Sequence, residues 1–462
     1  MHSGGIANYQ GRSSMKQKPT LSDPVVRERV DLLHKTETWS REEHETYQIR
    51  ALRECLTHAG TNVPYYRSLF RSLAFDPDAI TSLSQLQQLP LLDKSLVRGC
   101  HNEFIAENVP ADEIIMMTTG GSTGDPMRVP WDRRFASLNT ANTYYYMDVV
   151  GFKPGFHASV RLHGDTIPDA TISSGEYWLL DDKKLVCSVH HINDETCAGY
   201  VARIDEHRPE YIHAYPSALF MLCDHMERSG LRLEAPIPVA FCDSETLYAW
   251  QRRKISNVLG CRIFSIYGHT EGAVCAITYP DTDYLHLLPQ VGITELINTA
   301  GRPINKQGEI GEIVVTGFNN LVFPMVRYRT GDFATYAPTP SASARNHPML
   351  ANVEGRVQDY VINSRGRPVT LAPALFDYQF DYSGIQRFQI RQTEEGKLLF
   401  RLVLDAGVVA SDIAGRVIAA FNEILNHEFE VTAEVVEAIP LTARGKFRYI
   451  DQKLDVGITL AD

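Results

Sequence analysis

Five short stretches carry side chains whose types and spacing could do chemistry. In "TTGGSTGDPMRVP", residues Thr118 to Gly124 are all Thr, Gly or Ser. Glycines let a backbone approach an anion, and hydroxyls supplement the N–H donors. The run lacks the Gly-Lys-Ser/Thr ending of a Walker loop and the dinucleotide fingerprint, so taken alone it is either a phosphate cradle or a plain surface loop. In "SIYGHTEG" (Ser265–Gly272), a hydroxyl (Thr270) and a carboxylate (Glu271) could together hold phosphate and a hard Mg²⁺ ion, or cap a helix start. "YRTGD" ends in Asp332, placed to accept both hydroxyls of a ribose or to close a turn. "EGRVQDYV" contributes Arg356 and Asp359, a domain-boundary pair or a surface ion pair. "IPLTARGKFRYID" presents Lys446 on a glycine-loosened loop, either as a reactive cation or as one more solvated lysine.

The elements around these stretches point to an α/β architecture. "WSREEHETYQIRALRECLTHAG" begins with a capping box, Ser40 with Glu43, and predicts a helix ending at Gly60. From about residue 210 to 268 strand and helix patterns alternate. "YIHAY", "VAFC" and "RIFSIY" read as strands. "SALFMLCDHMERSG" reads as a helix capped by Ser217 and closed by Gly230. In "TLYAWQRRKISNVLG", Leu247, Trp250, Ile255 and Val258 share one helix face and Gly260 ends it. That alternation predicts parallel sheet, with ligands beyond the carboxyl ends of the strands, where "GHTEG" follows "RIFSIY". "GEIVVTGF" predicts a further strand and "APTPSASARNHP" a surface loop. After Gly355 come a hairpin, "RFQIRQTEEGKLLFRLVL", an amphipathic helix, "VVASDIAGRVIAAFNEIL", and a last strand, "FEVTAEVV". The expected organisation is a disordered leader over 1–20, a large α/β N-terminal domain over 21–355 and a small, mobile α+β C-terminal domain over 356–462.

Bulk properties narrow the class. The 462 residues, 44% hydrophobic, exceed one core. With 45 basic against 56 acidic side chains the net charge is −11, which argues against a nucleic-acid partner. The eight cysteines are scattered, without CxxC or finger-like spacing, and read as small buried side chains of a reducing compartment. No apolar run is long enough for a membrane span, and the Gly/Ser-rich start has no signal-peptide core. A cytoplasmic monomer or homodimer is expected.

Together and in this order, the five stretches resemble the adenylate-forming superfamily of acyl-CoA synthetases, peptide-synthetase adenylation domains and luciferases. The resemblance runs from about Ser40 onward. "NVPYYRSLF", "LPLLDKS" and "CDSETL" look like the phenylacetate-CoA ligase branch, and "SVHHIND", "PEYIHAYPS" and "GKFRYI" are closer to its CapK-like members. The resemblance implies that Thr118, Thr119, Gly120, Gly121, Ser122, Thr123 and Gly124 cradle the ATP phosphates. It implies that Glu245, Tyr267 and Gly268 line the adenine site, Tyr267 against the base. Thr270 would touch the α-phosphate, Glu271 bind Mg²⁺, Asp332 hold the ribose with Arg356 assisting, Gln358 serve as hinge and Lys446 act as the mobile catalytic lysine. Gln358 departs from the more common Asp or Lys, and the Cys cluster some relatives carry before "GR" is replaced by Pro, Ser and Ala, so no structural zinc is expected.

The implied reaction is adenylation of a small carboxylic acid, releasing pyrophosphate, followed by acyl transfer to coenzyme A, an amine or a carrier-protein thiol. An ionised carboxylate needs no general base, only positioning and positive charge. The acid pocket is expected to border residues 142–180. Arg161, His163 and Asp165 in "RLHGD", together with His213, could recognise a polar acid or simply form a charged loop. Tyr144, Tyr145 and Tyr146 could pack an aromatic acid or belong to a core. His190, His191 and Asp194 read as structural. Two alternatives stand beside this reading: an arylacetate-CoA ligase proper, and a non-catalytic nucleotide-binding partner protein.

Overall fold

The computed structural model describes residues 19–454 except 120–126, 154, 166, 299, 305–307, 339–344, 357–359, 367, 372–380 and 443–444. Two compact units emerge, one of residues 1–154 with Ile266–Val353, the other of Gly155–Ser265 with Glu354–Asp462. The small C-terminal module therefore groups with the parallel α/β layer. The core of the first unit draws on both of its chain segments.

In the first unit, Asp23 caps the helix Pro24–Thr36, an element the sequence reading did not anticipate. The helix Arg41–Asn62 starts at the expected capping box: Glu43 N–H donates to Ser40 Oγ and Ser40 N–H to Glu43 Oε2. It does not stop at Gly60. That glycine lies within the helix, because a Cβ there would sit 2.8 Å from the Phe70 ring of the next helix, Pro64–Leu73. Ile115–Thr118 and Arg128–Trp131 pair as an antiparallel hairpin, so residues 119–127 join its two strands. A sheet in the order 292–297, 310–317, 328–336, 349–356, 282–287, 275–279 completes the unit. Its apolar face packs with Leu52, Leu56, Phe104 and Trp131.

In the second unit the strands Ser159–His163, Lys184–Ser188, Tyr211–Ala214, Val239–Cys242 and the first part of Arg262–Gly268 run parallel, as expected, with Trp178–Asp181 antiparallel at the edge. Near-continuous burial of Val239–Cys242 fits a strand covered on both faces. The helix Pro216–Arg228 begins one residue before the expected cap: Pro216 occupies its first turn and Tyr215 is the capping residue, leaving Ser217 inside. The expected common face of the next helix, Ala249–Leu259, divides. Ile255 and Val258 enter the α/β core, which also takes Leu247 from ahead of the helix. Trp250 instead meets Tyr382 and Tyr449 of the C-terminal module.

That module has the expected hairpin, Ile385–Gln392 with Lys397–Leu404, and helix, Ala410–Ile424. Glu430–Val435 is not its last strand: Ile450–Gln452 follows, parallel to Ile385–Gln392 on the opposite edge. The fold is thus α/β with a mixed sheet and a smaller α+β module at its C-terminal end.

Candidate active site

Within the first unit the hydroxyl-rich run is anchored at both ends. Thr119 N–H donates to the Met127 carbonyl at 2.9 Å, and Met127 N–H donates to Thr119 Oγ1 at 2.8 Å. Thr118 pairs with Arg128. Gly120, Gly121, Ser122, Thr123 and Gly124 lie outside the described residues, as does Gln358; Arg356 closes the strand Met349–Arg356.

The second hairpin strand leads to Trp131, whose indole Nε1 donates to the Thr270 carbonyl at 2.9 Å. Trp131 packs edge-on against Phe135, and Phe135 lies where a Cβ on Gly272 would be, 2.1 Å from its Cζ. With φ at +69°, Gly272 thus meets both a backbone and a contact requirement. Trp131 ties the strand after the hydroxyl-rich run to "GHTEG", a contact the sequence reading missed; a tryptophan closing the strand after a Gly-rich loop was the available clue.

Glu271 is buried and accepts from the Tyr328 hydroxyl at 3.2 Å. His269 Nδ1 lies 3.0 Å from its other oxygen, close enough for an ion pair but without hydrogen-bond alignment. Burial opposes ionisation of Glu271, but His269 and Tyr328 outweigh it and hold its pKa at about 2. A buried carboxylate kept ionised beside a threonine suits a hard cation. The Tyr267 hydroxyl donates to Asp332 Oδ2 at 2.8 Å. Gly268 ends the strand, where a Cβ would come within 3.3 Å of the Val274 carbonyl oxygen.

The second unit gathers Glu245 and Lys446. Glu245 accepts from both the backbone N–H and the hydroxyl of Ser217, each at 3.0 Å. Burial pushes its pKa up, only partly countered by Lys446 and Ser217. Lys446 sits in a tight turn closed by Thr442 N–H to the Lys446 carbonyl (2.8 Å) and Gly445 N–H to the Thr442 carbonyl (2.8 Å). Its Nζ donates to the Ser244 carbonyl, 202 positions away in sequence, and lies 5.1 Å from the Tyr215 ring centroid. Gly445, at φ +74°, lies so close to Val189 that a Cβ would come within 2.2 Å of its Cγ2.

The residues expected at the acid pocket divide. Arg161, His163, Asp165 and His213 come together at the carboxyl ends of neighbouring parallel strands, in register at Arg161 and His213. Arg161 Nε donates to Asp165 Oδ2 at 2.6 Å and its Nη1 meets His213 Nδ1 at 3.2 Å. Asp243, whose role the sequence reading missed, completes the group through His213 Nε2 at 2.7 Å. Burial disfavours the Asp243 carboxylate, yet His213, His163 and the Ser244 hydroxyl hold it well below the usual carboxylate range. Tyr145 is a correction. It is fully buried, and its hydroxyl is engaged with that of Tyr279 at 2.5 Å, so it belongs to the interior of the first unit. His190 and His191 are structural neighbours: His191 Nδ1 meets Ser188 Oγ at 2.8 Å, while Asp194 pairs with His225 and Arg228.

Seven of the eight cysteines are buried. Among the described residues no helix is long and apolar enough to cross a membrane.

Known proteins share parts of this sequence and its fold. Residues 44–322 match the AMP-binding enzyme family and residues 370–453 the CapK C-terminal domain. Phenylacetate-coenzyme A ligase of Pseudomonas putida is 28% identical over 344 residues, 72% of this chain and 74% of that protein. Protein CapK of Staphylococcus aureus is 22% identical over 427 residues, 88% and 92% respectively. The fold is shared with 2-hydroxyisobutyryl-CoA ligase in its postadenylation state, at a TM-score of 0.71 and 18% identity over 92% of this chain and 93% of that one. The chain belongs to the AMP-binding enzyme family and is an adenylate-forming ligase of the phenylacetate-CoA ligase and CapK-like group.

Proposed function

We propose that this ligase activates a small polar carboxylic acid with ATP, forming acyl-AMP and pyrophosphate, and passes the acyl group to a thiol, coenzyme A being the first choice. The observation that carries this reading is the seat of Lys446, whose ammonium binds the Ser244 carbonyl immediately before Glu245. A cation there can meet the charge that develops as carboxylate oxygen attacks the α-phosphorus and pyrophosphate leaves.

Thr118 to Gly124 would cradle the phosphates, Tyr267, Gly268 and Glu245 would border the adenine, and Asp332, with Arg356, would hold the ribose. Thr270 would contact the α-phosphate. Glu271 is the residue that would hold Mg²⁺, which supplies charge neutralisation at the phosphate oxygens. Arg161, His163 and His213 would face the acid. After adenylation, rotation of the 356–462 module about Gln358 would withdraw Lys446 and open the way for the thiol.

The test is ATP–pyrophosphate exchange with Mg²⁺ and pooled carboxylic acids, with hydroxylamine trapping of the acyl-adenylate. Lys446→Ala is expected to slow adenylation by roughly 10²–10³-fold with the fold intact. Adenylate formation at the parent rate would refute the role of Lys446. The 28% identity to phenylacetate-coenzyme A ligase favours one competing reading, an arylacetate-CoA ligase. Exchange confined to arylacetates, with coenzyme A consumed, would select it.

A further inference from the structure

The helix Ala249–Leu259 and the segment that enters the strand Ile450–Gln452 meet across the boundary between the α/β layer and the C-terminal module. The packing there is reciprocal. Tyr248 and Trp250, which come from the layer, pack on the module's core, and Leu441 of the module packs on the layer's core. Trp250 stands edge-on to Tyr449 at 5.5 Å and stacks with Tyr382 at 6.1 Å, both of the module. Phe220 of the layer braces it, edge-on at 4.5 Å. The next residue, Gln251, is buried and its amide is oriented: Oε1 accepts from the Tyr248 N–H at 3.1 Å, which turns Nε2 to the Tyr449 hydroxyl at 3.3 Å.

Tyr449 is in turn pinned to its own module, because the Ile390 N–H donates to its carbonyl at 2.8 Å. Its backbone therefore leaves Trp250 only when the module's sheet leaves with it. The same short segment carries Lys446, whose Nζ donates to the Ser244 carbonyl. Between them, Phe447 meets the Tyr449 ring at 4.7 Å, and its N–H lies 3.5 Å from the Ser217 hydroxyl that donates to Glu245. A hydrogen bond that is exchanged for one to water shifts an equilibrium by roughly 2- to 10-fold. The partly exposed ion pair Arg228–Asp405, 3.5 Å long, shifts it by less. An aromatic pair contributes roughly 2- to 10-fold beyond the apolar area it covers. Trp250 makes two such pairs across the boundary, so it outweighs any single polar contact there.

Resting on the ligase reading above, we propose that Trp250 is a positioning residue: with Tyr449 and Tyr382 it latches the C-terminal module in the pose that seats Lys446. The strength of this latch sets how the enzyme divides its time between adenylation and thiol transfer. Trp250 acts only through the segment that carries the lysine.

The test compares the full-length parent with Trp250→Ala and Trp250→Phe. Without any substrate, the Phe447 amide, whose acceptor lies in the layer, should take up deuterium roughly 10- to 100-fold faster in Trp250→Ala. The strand Val239–Cys242 should keep its parental protection, because the layer's core stays closed. Pyrophosphate exchange should fall roughly 10-fold in Trp250→Ala, while thiol transfer from chemically made acyl-adenylate is unchanged or faster. Trp250→Phe, which keeps a ring at the contact, should recover most of the exchange rate, as a loss of fold would not allow. If Trp250→Ala melts well below the parent, Trp250→Leu, which keeps apolar bulk without a ring, decides in the same way. Parental deuteration at Phe447, or equal loss in both half-reactions by a variant of parental thermal stability, would overturn the inference. If the parent exchanges pyrophosphate with no acid, the ligase reading falls, and deuteration at Phe447 alone decides whether Trp250 holds the module.

Discussion

Three histidines inside the first unit make its stability depend on pH in a way that one substitution can isolate. His44, His286 and His347 are all buried and meet edge-on, with ring centroids 5.1 Å (His44–His347) and 5.9 Å (His286–His347) apart. Neither ring nitrogen of His286 or His347 has a hydrogen-bond partner among the described residues. Burial, reinforced by the nearby Arg345 charge and only partly offset by Asp281, lowers the His286 pKa to about 4. A histidine whose folded pKa lies below its unfolded value contributes full stability above the unfolded value and loses it as pH falls toward the folded one. For His286 the window runs from about 6.5 down to about 4.

From these values the loss due to His286 alone is about 2 kcal/mol at pH 5, approaching about 3 kcal/mol below pH 4. His44 and His347 shift in the same direction, while His34, raised by its hydrogen bond to Glu37 against the effect of burial, shifts oppositely. The difference between parent and His286→Phe removes those shared contributions. Urea unfolding at pH 7.5 and pH 5, followed through Trp39 fluorescence beside His44, should show the parent losing about 2 kcal/mol more than the variant. Parallel losses in the two proteins would refute the assignment of a neutral, unpartnered His286.

Other perturbations test the site. Gly272→Ala forces a Cβ into Phe135 at a positive φ; the two effects together should cost about 2–4 kcal/mol and raise KM for ATP through Trp131 and Thr270. Thermal melting and exchange kinetics would read it, and an unchanged melting temperature would contradict the packing. Gly445→Ala should unseat the turn that presents Lys446, because its Cβ meets Val189. Adenylation should then fall by roughly 10²-fold, as for loss of the lysine itself, while thiol transfer from supplied acyl-adenylate remains unchanged. Equal loss in both half-reactions would deny the turn its specific role.

Much of the α/β layer was legible because local and tertiary demands agree there. Val239–Cys242 is apolar on both faces, and Gly260 ends its helix in the left-handed conformation that favours glycine. Reading failed where tertiary contact overrides local preference. Gly60 resembles a helix end but is small because Phe70 crosses it. Ser217 resembles a cap but is committed to Glu245. Ile450–Gln452 is too short to show periodicity and exists as a strand through its pairing with Ile385–Gln392. Among the candidate site residues, Glu271, Asp332 and Lys446 were named from motif order alone, whereas Trp131 and Asp243 act through partners more than a dozen residues away in sequence. No local pattern encodes such partners. Tyr145 failed because a tyrosine on a helix looks the same whether its hydroxyl faces substrate or another tyrosine.

The first unit is interrupted by more than a hundred residues belonging to the second, and this shapes how the chain must mature. Buried residues of its core come from Leu52–Ala136 on one side and Ala273–Leu350 on the other. The intervening layer fills its own core almost entirely from residues 160–263. On the ribosome, then, the middle of the chain closes first, while the early helices wait on the order of tens of seconds for the strands that cover them. Nascent chains stalled or cleaved before residue 273 would display greasy helical faces with nothing to shield them, and chaperone demand should be concentrated in that interval.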